Sequence, residues 1–185
     1  MKKLLALAMA LTLCLGLAAC GTEGAPSPAA DAEGEFTFTD DLGRTVELPA
    51  QIDKICPSGF TAQQVLLTMA PDKMVGLAQE LNDDQLKIFG EKFADYPVFG
   101  AVLGAKDDLN REAVAAAAPQ VIIDTGEAKK GAKEDLDALQ EQLGIPVIFI
   151  EAKLSDYGAA YERLGELLSM EERGSELSTY CTDVY

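Results

Sequence analysis

Residues 52–78 read IDKICPSGFTAQQVLLTMAPDKMVGLA, and their pattern decides the fold. Asp53–Cys56 is a short apolar strand. Thr61–Met69 has helical spacing, with Val65, Leu66 and Met69 on one face. Met74–Leu77 reads as a second strand. A strand, a Pro-Ser-Gly turn, a helix and another strand are the start of a βαβ unit.

The alternation continues downstream. Asp83–Lys92 reads as helical and Val98–Phe99 as a short extended piece. Arg111–Ala118 is an alanine-rich helix stopped by Pro119, and Val121–Asp124 is a buried-looking strand. Glu134–Leu143 is amphipathic through Leu136, Leu139 and Leu143, and Val147–Ile150 is apolar and β-branched. The fold class is therefore α/β, a mainly parallel sheet flanked by helices. Upstream, residues 36–49 (FTFTDDLGRTVELP) alternate like a hairpin, with Asp40-Asp41-Leu42-Gly43 as the turn. At the other end, residues 156–185 form long helix, with Tyr157, Tyr161, Leu164, Leu167 and Leu168 in one stripe. Ser169 and Glu172 make a capping-box pattern that predicts a break and restart. Leu177, Tyr180, Cys181 and Val184 carry the apolar face onward, and such a face needs something to cover it.

Four segments follow. Residues 1–19 are a lipoprotein signal peptide, 20–35 a flexible tether, 36–154 an α/β lobe, and 155–185 the start of a helix leading out of it. The leader MKKLLALAMALTLCLGLAA has a basic start and an apolar run from Leu4 to Leu17. That run has signal-peptide length and falls short of the ~20 apolar residues a bilayer span takes. Leu17-Ala18-Ala19-Cys20 resembles the bacterial lipobox. The resemblance implies cleavage before Cys20 and diacylation of its thiol. Two or more acyl chains anchor stably where a single chain is marginal. Residues 21–35, rich in Gly, Pro, Ala and Glu, have no apolar periodicity and act as a tether.

Composition excludes several classes. Lys and Arg total 15 against 31 Asp and Glu, a net charge of −16. Nucleic acid is not the partner, since phosphates require a basic face. There is no histidine, so histidine-activated nucleophiles and imidazole metal sites are ruled out, and the expectation is a protein that is not an enzyme. GEAKKGAKED, residues 126–135, lacks the Lys-Ser/Thr ending of a phosphate loop. Tyr96 and Tyr157 stand apart from any ligand cluster, so a metal already inside a chelate fits better than a bare ion. After loss of Cys14 and lipidation of Cys20, Cys56 and Cys181 remain. They read as two separate thiols, although a disulfide is chemically allowed outside the cytoplasm.

In a parallel sheet, ligands meet the loops at the carboxyl ends of the strands. Candidate contacts are therefore Ser58, Gly59 and Phe60 after the first strand, Gly104 and Lys106 before the alanine-rich helix, and Thr125, Gly126 and Glu127 after Val121–Asp124. Phe60 offers an aromatic face, the competing reading being a core position. Lys106, Lys129 and Lys130 could pair with an anionic chelate.

From Thr37 to Tyr185 the chain resembles the amino-terminal half of the binding proteins that serve ABC importers of iron–siderophore, haem and cobalamin. TDDLGRTVELP opens the lobe, and residues 52–78 supply strand, ligand-side loop, helix and strand. DDLNREAVAAAAPQVIID (residues 107–124) is similar to the family's Asn-x-Glu segment, and LQEQLGIPVIFIEA (139–152) to the strand that leads into its inter-lobe helix. The resemblance implies an extracytoplasmic, lipid-anchored receptor without a cofactor of its own. It captures a small-molecule metal chelate, foremost an iron–siderophore complex, with haem and cobalamin as alternatives, and delivers it to ABC permease subunits. It also implies that Glu112 docks on permease arginines, and that this chain lacks the carboxyl-terminal lobe. A truncated surface lipoprotein without a ligand is the rival reading.

Overall fold

The computed structural model describes residues 34–101 and 109–184. The signal peptide, Cys20, Gly104 and Lys106 lie outside the described residues.

Two small sheets organise the chain. Strands β1 (Glu35–Thr39) and β2 (Thr45–Pro49) pair antiparallel around the Asp40–Arg44 turn, where Gly43 takes φ 73°. Strands β3 (Ile55–Pro57), β4 (Val121–Gly126) and β5 (Val147–Glu151) form a parallel sheet in the order β3-β4-β5. Ile55 pairs with Val121, and Ile122 with Val147. Both faces of this sheet are buried, as the unbroken apolar runs require. Along the strands the side chains alternate. Ile55, Val121, Ile123, Ile148 and Ile150 enter one cluster with Val65, Leu66 and Met69 of α1 (Phe60–Met69). Tyr161, Leu164 and Leu168 of α5 (Tyr157–Leu168; the helices between are introduced below) join them there. Cys56, Ile122, Val147 and Phe149 face the other way, toward Val114, Leu136 and Leu139.

Between β3 and β4 run α2 (Asp83–Phe89) and α3 (Arg111–Ala117), and α4 (Ala132–Leu143) joins β4 to β5. Helix α2 opens with a complete capping box, Asn82 with Gln85. It ends earlier than the expected Lys92, because Gly90 takes φ 118° and Glu91–Asp95 tightens into a 3-10 turn.

Met74–Leu77 is not a strand. It makes only isolated parallel bridges, Ile55 with Met74 and Leu77 with Val98. The Leu77 amide donates to Pro97 O (2.9 Å), and Phe99 N returns a bond to Leu77 O (2.7 Å). The segment is divided between two partners, so no ladder propagates. The buried amide of Gln63 in α1 holds it from behind. Its Oε1 accepts from Ala78 N (2.6 Å) and Gln79 N (2.9 Å).

The carboxyl-terminal helical region is present as α5 followed by α6 (Glu171–Val184), the longest described helix. The break falls where the sequence places it, but by another device. Ser169 closes α5 as its C-cap in the left-handed region (φ 54°) instead of opening α6. The two helices then pack backbone to backbone. A Cβ on Gly174 would lie 2.6 Å from Tyr161 O and 3.1 Å from Gly165 Cα. Leu177 is buried, whereas Tyr180 and Val184 are exposed.

The hairpin turn docks on the free edge of β5. Asp40 Oδ2 accepts from Phe149 N (3.2 Å), Asp41 N donates to Phe149 O (3.2 Å), and Asp41 Oδ2 accepts from Glu151 N (2.7 Å). Arg44 Nη2 donates to Val147 O. Each edge group that β4 leaves unpaired over this stretch finds a partner, which removes an open sheet edge.

Candidate functional site

The three parallel strands end on one side of the sheet, and the loops after β3 and β4 line a cleft of about 540 Å³ there, with Phe149 of β5. That volume suits a small-molecule ligand. Two of the three sequence-predicted loops meet there. Ser58, Gly59 and Phe60 form one wall, and Thr125, Gly126 and Glu127 form another. Gly104 and Lys106 of the third loop lie outside the described residues, although Ala101 just before them lines the cleft.

Each side chain is placed for a local reason. Ser58 follows the last residue of β3, its amide donating to Ile123 O (3.0 Å) and its hydroxyl donating to Asp124 Oδ1. It is only 3% exposed. Gly59 is the N-cap of α1 with an extended φ of −177°, open to any residue. A Cβ there would meet Ala101 at an ordinary 3.5 Å, so no close approach requires the glycine. Phe60 begins α1 and stays 50% exposed, so its ring is a cleft surface and not part of the core. Thr125 is 6% exposed, and among the described residues its hydroxyl has no hydrogen-bond partner. Gly126 turns the chain out of β4 at φ 151°, which a side chain would strain. Beyond it, Lys129 and Lys130 stand exposed on the cleft's rim.

Asp124, Asp135 and Phe149 also line the cleft, and sequence reasoning passed them over as site residues. One signal was available for Asp124: it is the polar residue ending a run that is otherwise wholly apolar, Val-Ile-Ile-Asp. Desolvation raises its carboxyl above the ordinary range, and the Ser58 hydroxyl bond and the attraction of Lys129 and Arg44 oppose that rise.

Glu112 is not a cleft residue. It is exposed in the first turn of α3, beside the N-cap Asn110 whose Oδ1 accepts from Ala113 N (3.0 Å). Tyr96 packs edge-on against Phe93 (4.8 Å between centroids), and Tyr157 lies 6.0 Å from Tyr161. Neither tyrosine is a cleft residue. Among the described residues, no group of three His, Cys, Asp or Glu side chains is placed to hold a metal ion, and no helix is long and apolar enough to cross a membrane.

Cys56 and Cys181 are separate free thiols. Burial pushes the Cys56 thiol up to about 12, and Cys181 is partly exposed. The thiolate is the reactive form. In the native protein a thiol-titrating reagent at pH 8 is expected to modify Cys181 and spare Cys56. Both should react in denaturant, and prompt modification of Cys56 in native buffer would contradict this packing.

A parallel sheet with helices on both faces, whose strand-end loops close on an open cleft, is the build of a ligand-binding lobe. Solved structures of that kind match it. No family model and no curated protein matches the sequence. An ABC transporter solute-binding protein from Sulfurospirillum deleyianum aligns at 23% identity and TM-score 0.66, over 77% of this chain and 45% of its own. The TroA-like periplasmic binding protein FepB from Veillonella parvula aligns at 26% identity and TM-score 0.59, over 80% and 46%. MolA, the molybdate periplasmic binding protein of a Haemophilus influenzae ABC transporter, aligns at 18% identity and TM-score 0.59, over 77% and 49%. This chain thus has the fold of one lobe of an ABC-transporter solute-binding protein. It spans less than half the length of each of these neighbours.

Proposed function

We propose that the chain is the amino-terminal lobe of an extracytoplasmic solute-binding lipoprotein that captures a metal chelate, foremost an iron–siderophore complex, for an ABC importer. The observation that carries the reading is the meeting of residues 58–60 and 125–127 in one cleft at the carboxyl ends of the parallel strands. Phe60 supplies an apolar face, Gly126 and the strand-end backbone supply polar groups, and Lys129 and Lys130 supply positive charge for an anionic ligand. No bond is made or broken in such a role. The likeness to solute-binding proteins supports a binding function over an enzymatic one, and one of those neighbours, MolA, is a molybdate-binding protein.

Two further parts rest on the sequence. Cys20 carries the lipid that holds the protein at the outer face of the cell membrane, and Glu112 docks on the permease through charge-assisted hydrogen bonds. Exposure of Glu112, away from the cleft, leaves it accessible for that contact.

The direct test is calorimetric titration of the longest encoded reading frame, expressed from residue 21, with ferric siderophores, haem and cobalamin. Saturable binding of a ferric siderophore, weakened about tenfold or more by Phe60→Ala, is the expected result; a lost aromatic contact of this size corresponds to ~1.4 kcal/mol or more. Absence of saturable binding for every chelate would sink the receptor reading. In cells, Glu112→Ala should leave ligand affinity unchanged while lowering uptake several-fold, and Cys20→Ala should abolish incorporation of labelled palmitate.

A further inference from the structure

We propose that Asp124 is the specificity-determining residue of the cleft: its carboxylate accepts hydrogen bonds from the bound solute, so the ligand is an anionic chelate bearing N–H or O–H donors, and a bare oxyanion is rejected. This rests on the cleft being the ligand site.

The geometry is what distinguishes Asp124 from the other acids of the wall. Glu127 is exposed, whereas Asp124 is half-buried where it lines the cleft, in register with Phe149 of β5. Two groups reach this carboxylate, the Ser58 hydroxyl on Oδ1 and the Thr125 backbone amide. An ionised carboxylate has about four acceptor sites, so acceptor capacity is left for a ligand in the cleft it lines. A half-buried acceptor is costly to leave unmatched, and a ligand presenting donors would match it.

Charge sets the other half of the specificity. Lys129 and Lys130 stand at the rim, whereas the floor carries a carboxylate. A large chelate with anionic oxygens on its periphery and amide or hydroxyl donors nearer the floor meets both signs. A small bare oxyanion reaching the floor meets Asp124, and like charges at close range repel strongly where water is excluded. Rejection of this kind is how a site discriminates between ligands of the same net charge.

The environment of Asp124 fits a residue kept for binding and not for stability. Desolvation is the largest influence and raises its carboxyl, so the folded protein holds that proton more tightly than the unfolded chain does. Stability contributed by this site therefore falls as pH rises through the range between the ordinary carboxylate value and the raised one. A neutral isostere escapes that loss. The charged groups facing the site are Arg44, Glu127, Lys129, Lys130 and Asp135, with the Ser58 hydroxyl in contact.

The test compares the longest encoded frame with its Asp124→Asn variant. The probes are a ferric tris-catecholate carrying amide N–H groups, and molybdate as the bare oxyanion. The expected result at pH 7.5 is saturable binding of the catecholate, at least tenfold weaker in Asp124→Asn, and no binding of molybdate to the unmodified protein. The thermal midpoint of the variant should be equal or higher. Catecholate affinity within twofold of the unmodified protein overturns the role of Asp124 and leaves the cleft reading standing. Tight molybdate binding overturns the donor requirement. A lowered thermal midpoint marks Asp124 as structural and overturns the assignment. Failure of both probes overturns the proposal, and the cleft reading falls with it only if haem and cobalamin fail to bind as well.

Discussion

Replacing Asp40 by alanine is expected to cost about 3–5 kcal/mol of folding free energy, the range for breaking a buried ion pair from one side. Its side chain is 0% exposed and that of its partner Arg44 is 3% exposed. Four donors converge on the carboxylate. Leu42 N (3.1 Å) and Arg44 N (2.9 Å) bind Oδ1, and Arg44 Nε (3.1 Å) and Phe149 N (3.2 Å) bind Oδ2. Removing it strands a guanidinium whose other contacts are Val147 O and, at 3.5 Å, the Asp137 carboxylate. It also reopens the β5 edge at Phe149. Because domains of this size are stable by only about 5–15 kcal/mol, the loss should move the urea midpoint far down with little change in slope. The double variant Asp40→Ala/Arg44→Leu should recover a large part of it, since the stranded charge is then gone. A loss under about 1 kcal/mol for Asp40→Ala would contradict the edge-capping role.

Gly76→Ala should have the second-largest effect. A Cβ at residue 76 would fall on the Phe99 ring and lie 2.8 Å from Pro97 O. The obstacle on one side is backbone, and Phe99 is fully buried on the other, so neither yields cheaply. Overpacking of this kind costs about 1–3 kcal/mol. The damage should also reach the site. Phe99 O accepts from Asn110 N (2.6 Å), and Asn110 caps α3, which carries Glu112. Ala101, two residues beyond Phe99, lines the cleft. Gly76→Ala is therefore expected to lower the denaturation midpoint and weaken chelate binding together. Phe99→Leu in the same background should restore part of both, because it vacates the space the new methyl needs. A variant as stable as the parent would show that Phe99 packs elsewhere.

Much of the site was legible before any coordinates. Parallel strands point their carboxyl ends the same way, so naming the strands names the loops that share an end. That logic placed Ser58, Phe60, Thr125 and Gly126 together, and they do line one cleft. Asp124 was missed because a strand-ending acid looks like punctuation, and its bond to Ser58 crosses 66 residues of chain.

What the sequence by itself determined is the α/β alternation and the parallel sheet. Runs such as Val121–Ile123 and Val147–Ile150 are apolar without alternation, and burial on both faces is the arrangement that satisfies them. It also marked the break in the last helical region through Ser169, although that residue closes α5 instead of opening α6. Tertiary structure alone decided the rest. Whether Met74–Leu77 becomes a strand depends on Pro97 and Val98, which claim Leu77 for themselves. Whether Asp40 is a turn residue or a buried hub depends on Phe149, 109 residues away. Periodicity records which face of an element is apolar, a property of near neighbours. Which distant backbone group meets a given donor is settled only when the elements pack, and the hydrogen bonds of the β5 edge and of the cleft floor are all of that second kind.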